Sequence, residues 1–315
     1  MVAIPFGGDK MQLLYLLEKI RLPGLNEIML AITTLGEETA FLVMALIVFW
    51  CVDKRRGYYV MSVGFIGTLA NQFMKLLFRV PRPWVLDENF TILEQAREAA
   101  TGYSFPSGHT QSAVGTFGAI ARNAKKRWVR IVCIVIAVLV PFSRMYVGVH
   151  TPYDVLAAAV TALVLIFAIY PVVFKNDGKG FPILLGGMTL LAAAYLCFVE
   201  LYPFPADMDE ANLASGIKNA YTLIGCLTGV LAVYVVDEKK LHFQVEAVWW
   251  AQILKVVLGL AAVLLVKEGL RAPLEAVFKN VLIARAVRYF LLVVVAGAVW
   301  PLSFRWFSGL GKKEK

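Results

Sequence analysis

The chain has 315 residues, of which 59% are hydrophobic and 17% charged, with a formal net charge of +9 and a mean hydropathy of +0.70. Soluble domains run at roughly 45–50% apolar and about 25% charged residues, so this composition excludes an ordinary soluble domain and points to a membrane protein. A Lys and Arg excess in such a chain belongs to its cytoplasmic connections; without an aromatic-basic RNA motif it does not argue for nucleic acid, and no nucleic-acid partner is expected.

The first segment, "MVAIPFGGDKMQLLYLLEKIR", has no early positive charge, and its short apolar run Met11–Leu17 meets Glu18 and Lys19. It reads as an amphipathic helix at the interface rather than a cleaved signal peptide. Residues 25–34 suggest a further, partly inserted helix, so 1–34 form an interfacial N-terminal region. Apolar runs then predict spans at roughly 37–52, 57–78, 107–122, 128–144, 153–174, 182–201, 214–236, 247–267 and 287–307. Nothing reads as a series of strands. The expected fold is all-α: a polytopic membrane helical bundle of about nine spans.

The polar connections orient this bundle. "DKRRG" follows the first span, "RNAKKRWVR" the third, "KNDGKG" the fifth and "DEKK" the seventh, and "GKKEK" ends the chain. The alternate connections differ: "LYPFPADMDEAN" is acidic, and residues 79–105 hold four acidic against three basic residues. The connection near 268–286 is mixed in charge and weakens the pattern locally. The positive-inside rule places the basic connections in the cytoplasm and the others outside. Cys51, Cys133, Cys197 and Cys226 lie in or beside apolar runs with no paired spacing, so they read as small buried hydrophobes.

Three polar clusters share the outer side. In "KLLFRVPRPW", Lys75 ends an apolar helix; taken alone it would snorkel to lipid phosphates, although cations in spans usually have a partner. Pro81 and Pro83 stiffen the exit and fix the direction of Arg82. In "GYSFPSGHTQS", Pro106 and Ser107 mark a helix start with Ser107 as N-cap. A helix N-terminus offers free N–H groups and partial positive charge to a phosphate. Gly108 lets an anion approach the backbone, and His109 stands where an acid could protonate a leaving oxygen. In "SRMYVGVHTPYD", Thr151, Pro152 and Asp154 form a capping box, which on local grounds could be all that Asp154 does. His150 precedes it by four residues. The carboxylate could fix the ring tautomer and leave the far nitrogen free as a nucleophile. Arg144 adds a bidentate phosphate ligand. The chain has three histidines, and two sit at outward helix starts among Lys75, Arg82 and Arg144. Converging cations imply a multiply charged anion.

In this order, "KLLFRVPRP", "PSGH" and "SRMYVGVHTPYD" resemble the three-part signature of the type 2 phosphatidic acid phosphatase superfamily, which includes lipid phosphate phosphatases, glucose-6-phosphatase and vanadium haloperoxidases. The match holds at Lys75, Arg82, Pro83, Pro106 to His109, Ser143, Arg144, His150 and Asp154. The resemblance covers roughly residues 35–175, the expected phosphatase core, and leaves 176–315 as additional C-terminal transmembrane helices. It implies that His150 attacks phosphorus to form a phosphohistidine, with Asp154 orienting it. His109 protonates the leaving group and then activates water, while Lys75, Arg82, Ser107, Gly108 and Arg144 hold the phosphoryl oxygens. No metal and no cofactor are expected, because three cations take a metal's place.

The expected substrate is a lipid phosphomonoester or pyrophosphate, and the expected location is the cell membrane with the site facing the extracytoplasmic side. Three alternatives stay open at this level: a phosphotransferase using the same intermediate, a glucose-6-phosphatase-like enzyme with a soluble substrate, and a non-catalytic phospholipid transporter or scaffold. A metal site of His109, His150 and Asp154 fits by residue type alone, but Arg144 and Lys75 would repel a cation. For residues 176–315 the candidate roles are a homodimer contact, a wall for a lipid tail, or a second function. Gly225 and Gly229 suit close helix packing.

Overall fold

A computed structural model describes residues 9–175 and 179–310 of the chain. The basic string "GKKEK" lies outside the described residues, as do the start of the N-terminal segment and the middle of "KNDGKG". Every regular element among the described residues is helical. The helices are α1 (Asp9–Lys19), α2 (Pro23–Thr34), α3 (Glu38–Cys51), α4 (Lys54–Phe78), α5 (Pro83–Leu86), α6 (Gly108–Asn123), α7 (Arg127–Tyr146), α8 (Pro152–Phe174), α9 (Phe181–Leu201), α10 (Glu210–Val236), α11 (Trp249–Gly269), α12 (Arg271–Phe278), α13 (Val281–Val294) and α14 (Phe304–Gly309).

The chain is an integral membrane protein. Seven helical stretches among the described residues are long and apolar enough to cross a bilayer, and α2 with α3, bent by 53° at a short break, makes an eighth if counted as one span. The expectation of about nine differs at two places. The run 37–52 is the second arm of that bent pair. The run 107–122 is α6, which has 16 residues. At a rise of 1.5 Å per residue it is about 24 Å long, short of a hydrocarbon core of about 30 Å. Nine of its residues are buried, Thr110, Gln111 and Thr116 among them, so α6 is wrapped by protein.

Two compact units divide the chain. The first comprises residues 1–42, 63–171 and 203–216. Within it α6 packs on α7, and α1 and α2 pack on α7 as well. Met29 of α2 joins Tyr146, Val147, Val149 and Ala96 in one apolar cluster, and Leu14 of α1 joins Phe90 and Ile92 in another. Polar ties reinforce them. Arg21 Nε donates to Tyr146 O at 3.0 Å, Tyr15 Oη to Asp87 Oδ2 at 2.6 Å, and Tyr146 Oη to Asn26 Oδ1 at 2.8 Å.

The second unit comprises residues 43–62, 172–202 and 217–315. Its helices α10 and α13 approach closely because two glycines line the contact. A Cβ at Gly225 would lie 2.2 Å from Ala286 O, and one at Gly229 would lie 3.1 Å from Phe290 O. This is the small-residue packing that apolar solvent favours, since side-chain burial gives no hydrophobic gain there. Trp50 Nε1 donates to Ala296 O at 2.9 Å, and Lys54 pairs with buried Asp237 at 2.6 Å.

Candidate active site

The three motif segments meet inside the first unit. Lys75 lies in the last turn of α4 and Arg82 immediately precedes α5. Ser107 caps α6, where its Oγ accepts from Thr110 N at 3.4 Å. Gly108 and His109 open that helix, and their N–H groups have no carbonyl four residues back within it. Arg144 ends α7. Asp154 is in the first turn of α8, and His150 stands just before it. The capping box forms as its residue types dictate: Thr151 N donates to Asp154 Oδ2 at 2.7 Å, and Asp154 N to Thr151 Oγ1 at 3.4 Å.

The same carboxylate oxygen also faces the histidine. Asp154 Oδ2 lies 3.5 Å from His150 Nδ1 and accepts from Ser104 Oγ at 2.7 Å. On the other side of the ring, Arg82 Nη1 is 3.0 Å from His150 Nε2. A guanidinium can only donate, so Nε2 is the acceptor and the ring proton resides on Nδ1, toward the carboxylate. Capping and orienting are therefore one function of one oxygen.

Arg82 is held by main-chain oxygens. Its Nε donates to Gly102 O at 3.0 Å, Nη2 to Thr101 O at 2.7 Å, and Nη1 to Val149 O at 3.1 Å. Lys75 Nζ donates to Tyr103 O. The segment 101–103 thus turns three consecutive carbonyls onto two cations. Gly102 has φ +70°, a left-handed conformation that a side chain would strain.

Lys75, Arg82, Arg144, Ser107, His150 and Asp154 are all buried. Three cations therefore share the site with one buried carboxylate, an arrangement that costs several kcal/mol per uncompensated ion in a low-dielectric interior. The open hydrogen-bonding positions mark where compensation is missing: Arg144 Nε and Nη2 and His109 Nε2 are buried without a partner among the described residues. The arrangement can bind a multiply charged oxyanion between the cations, with a neutral imidazole on one side and a second imidazole free to exchange a proton.

Three participants escaped the sequence reading. Ser104 bridges toward both Asp154 and His150, whose Nδ1 is 3.5 Å from its hydroxyl. Asn71, one turn before Lys75, donates to Pro106 O at 3.2 Å and ties α4 to the start of α6. Thr33 accepts from Arg144 Nη1 at 2.7 Å across 111 residues of chain. A buried Asn in an apolar span and a Ser inside the quoted loop were signals of a kind; Thr33 had none.

Comparison with known proteins gives the family of the chain. Residues 57–177 match the family model described as the PAP2 superfamily, and residues 221–313 match one described as a PAP2 superfamily phosphatase, transmembrane extension. The chain is 31% identical to undecaprenyl-diphosphatase BcrC of Bacillus subtilis over 42% of its own length and 65% of that protein's. It is 32% identical to phosphatidylglycerophosphatase B of the same organism over 48% of this chain and 76% of that one. It is 30% identical to an undecaprenyl-diphosphatase of Sulfolobus acidocaldarius over 48% of this chain and 71% of that one.

Burial, and then the positive charges of Arg82, Arg144 and Lys75, push the His150 imidazole well below its ordinary value of 6.5. In the ligand-free protein its ring should titrate below pH 6.5 by 15N NMR, and Arg82→Gln should move the midpoint upward. The unfolded chain takes up this proton first, so the contribution to stability is complete above pH 6.5 and is lost as pH falls through the window beneath it. A midpoint at or above 6.5 in the folded protein would remove the electrostatic basis for a neutral, nucleophilic ring.

Proposed function

The chain belongs to the PAP2 superfamily of phosphatases, and on that premise we propose that it hydrolyses a lipid phosphomonoester or pyrophosphate through a phosphohistidine on His150, without a metal. The carrying observation is the pairing at His150: Nδ1 faces Asp154 Oδ2 and Nε2 faces the guanidinium of Arg82. Substrate oxygens take over the Arg82 contact, which frees the Nε2 lone pair. Nε2 attacks phosphorus, the P–Nε2 bond forms and the P–O bond to the leaving group breaks. The departing oxygen takes a proton from His109 Nε2. For a monophosphate the leaving group is the lipid alcohol; for a diphosphate it is the lipid monophosphate. Asp154 stabilises the positive charge that grows on the ring. Water then gives its proton to His109 and attacks phosphorus, P–Nε2 breaks and inorganic phosphate leaves.

Lys75, Arg82 and Arg144, with the hydroxyl of Ser107 and the free N–H groups at Gly108 and His109, receive the charge on the transferring oxygens. Residues 35–175 carry this chemistry, and 1–34 and 176–315 flank it. Three cations supply the positive charge a metal would otherwise bring, which supports metal independence.

His150→Ala should lower kcat by more than about a hundredfold in a protein that still folds, since covalent catalysis rarely survives losing its nucleophile. Asp154→Asn should leave residual activity. These rates are to be measured in excess EDTA, with wild type fully active there; chelator-sensitive turnover restored by a divalent cation would sink the metal-free mechanism, and a robust His150→Ala enzyme would sink the nucleophile.

A lipid substrate is supported by the position of the site at helix ends: in a bilayer-spanning bundle such ends approach the headgroups, where a phosphate on a membrane-anchored chain can enter sideways. Catalytic efficiency on a long-chain lipid phosphate or diphosphate should exceed that on glucose 6-phosphate in the same detergent. Equal or better use of the sugar phosphate would favour the soluble-substrate alternative.

The charge pattern of the connections supports a cell-membrane protein whose site opens to the extracytoplasmic side. With the four native cysteines replaced, Thr101→Cys, at an exposed position of the 79–107 connection, should react with an impermeant thiol reagent added to intact cells. Labelling that needs access to the cytoplasmic face would reverse the topology.

A further inference from the structure

Arg144 is fully buried, and its guanidinium is used asymmetrically. Nη1 donates to Thr33 Oγ1 at 2.7 Å, while Nε and Nη2 are buried with no partner among the described residues. A guanidinium is planar, and its Nε–H and Nη2–H lie along one edge, the edge that grips two oxygens of a carboxylate or phosphate. Thr33 holds the opposite corner. Its hydroxyl therefore fixes the rotation of the plane without occupying the edge that would meet the substrate.

The same short stretch touches the second imidazole. A Cβ at Gly36 would lie 2.9 Å from His109 O and 3.0 Å from His109 Cβ, so only glycine lets the chain pass this near the first turn of α6. One residue later, Glu37 O accepts from Ser112 Oγ at 3.5 Å. Thr33 lies in the last turn of α2, and Leu35 to Glu37 form the break before α3, closed by turn hydrogen bonds from Leu35, Gly36 and Glu37 N to Ile32, Thr33 and Thr34 O. It lies outside residues 57–177, the part that matches the PAP2 superfamily model.

We infer that this elbow is a wall of the phosphoryl site, in which Thr33 is a positioning residue that presents the Nε–Nη2 edge of Arg144 to the transferring phosphoryl group. The inference rests on the phosphate-site reading above. An arginine side chain turns about four single bonds between Cα and Nε, and a tether at one corner fixes the plane that they would otherwise leave free. Threonine, unlike a carboxylate, tethers it without neutralising the charge the phosphate needs.

The test compares Thr33→Val, which keeps shape and loses the hydroxyl, with Thr33→Ser, which keeps the hydroxyl. Thr33→Val should lose about 10- to 100-fold in kcat/KM, the scale of a small misplacement of a catalytic group, and should bind inorganic phosphate more weakly as a competitive inhibitor. Thr33→Ser should stay within about threefold of wild type. In an Arg144→Lys background, which lacks the fork but retains charge, Thr33→Val should change kcat/KM by less than about twofold, because coupled residues are non-additive. Thermal melting and gel filtration in detergent establish that each variant is folded; if Thr33→Val is not, Thr33→Ala takes its place in the cycle. Wild-type kinetics in Thr33→Val, or a loss of equal size in both backgrounds, overturns the role of Thr33. Wild-type turnover in Arg144→Lys and Arg144→Ala would instead overturn the phosphate-site reading itself.

Discussion

The structure turns on buried positive charge that has no full counter-charge. Lys75, Arg82 and Arg144 are buried together, and the one buried carboxylate beside them, Asp154, is engaged by Ser104, by Thr151 N and by the His150 ring. Attaching a carboxylate to each cation would relieve the site and also disable it, since an anionic substrate would have to displace those carboxylates. The protein uses dipoles in their place. Carbonyls of Thr101, Gly102, Tyr103 and Val149 and the hydroxyl of Thr33 hold the cations by hydrogen bonds. A dipole offsets part of the desolvation cost and leaves the net charge in place, which is how preorganised sites stabilise developing charge.

That choice explains the loop between α5 and α6. Aiming three successive carbonyls at two side chains requires a backbone bend, and Gly102 supplies it in the left-handed region. Ser104 follows two residues later and returns the chain to Asp154; Ser104 N also donates to Val80 O at 2.8 Å. The loop is thus fastened at both ends to the residues it serves. Within the loop, residues 101–104 make the hydrogen bonds to Arg82, Lys75 and Asp154.

The imidazole and the cations constrain one another. Arg82 donates to His150 Nε2, so the ring is neutral with its proton on the Asp154 side. In the proposed mechanism the contact that defines this tautomer also covers the lone pair of the attacking nitrogen, and an anion drawing the guanidinium away would uncover it, linking binding and activation through a single hydrogen bond. In the second unit, polar burial serves packing. Asp237 accepts from Lys54 and from Phe243 N, and Lys255 is buried under a cation–π contact with Phe304 at 4.3 Å while donating to Val245 O at 2.9 Å.

Much of this was legible from residue order alone, and the reason is range. Caps are local: Ser107 with Thr110, and Thr151 with Asp154, are set by residue types three positions apart, as is the four-residue approach of His150 to Asp154. Apolar runs longer than a bilayer is thick fix helices in lipid, because unpaired backbone groups cannot exist there. Those constraints act within one turn or along one element, so they can be read without coordinates. What the tertiary structure decided depends on residues far apart. Thr33 reaches Arg144 across 111 positions and Ser104 reaches Asp154 across 50. An ordinary threonine in an apolar helix gives no local sign that a guanidinium will rest on it. The length of α6 was legible, but not its surroundings: a run of Ala, Val and Gly reads alike whether lipid or protein encloses it, and only packing tells the two solvents apart.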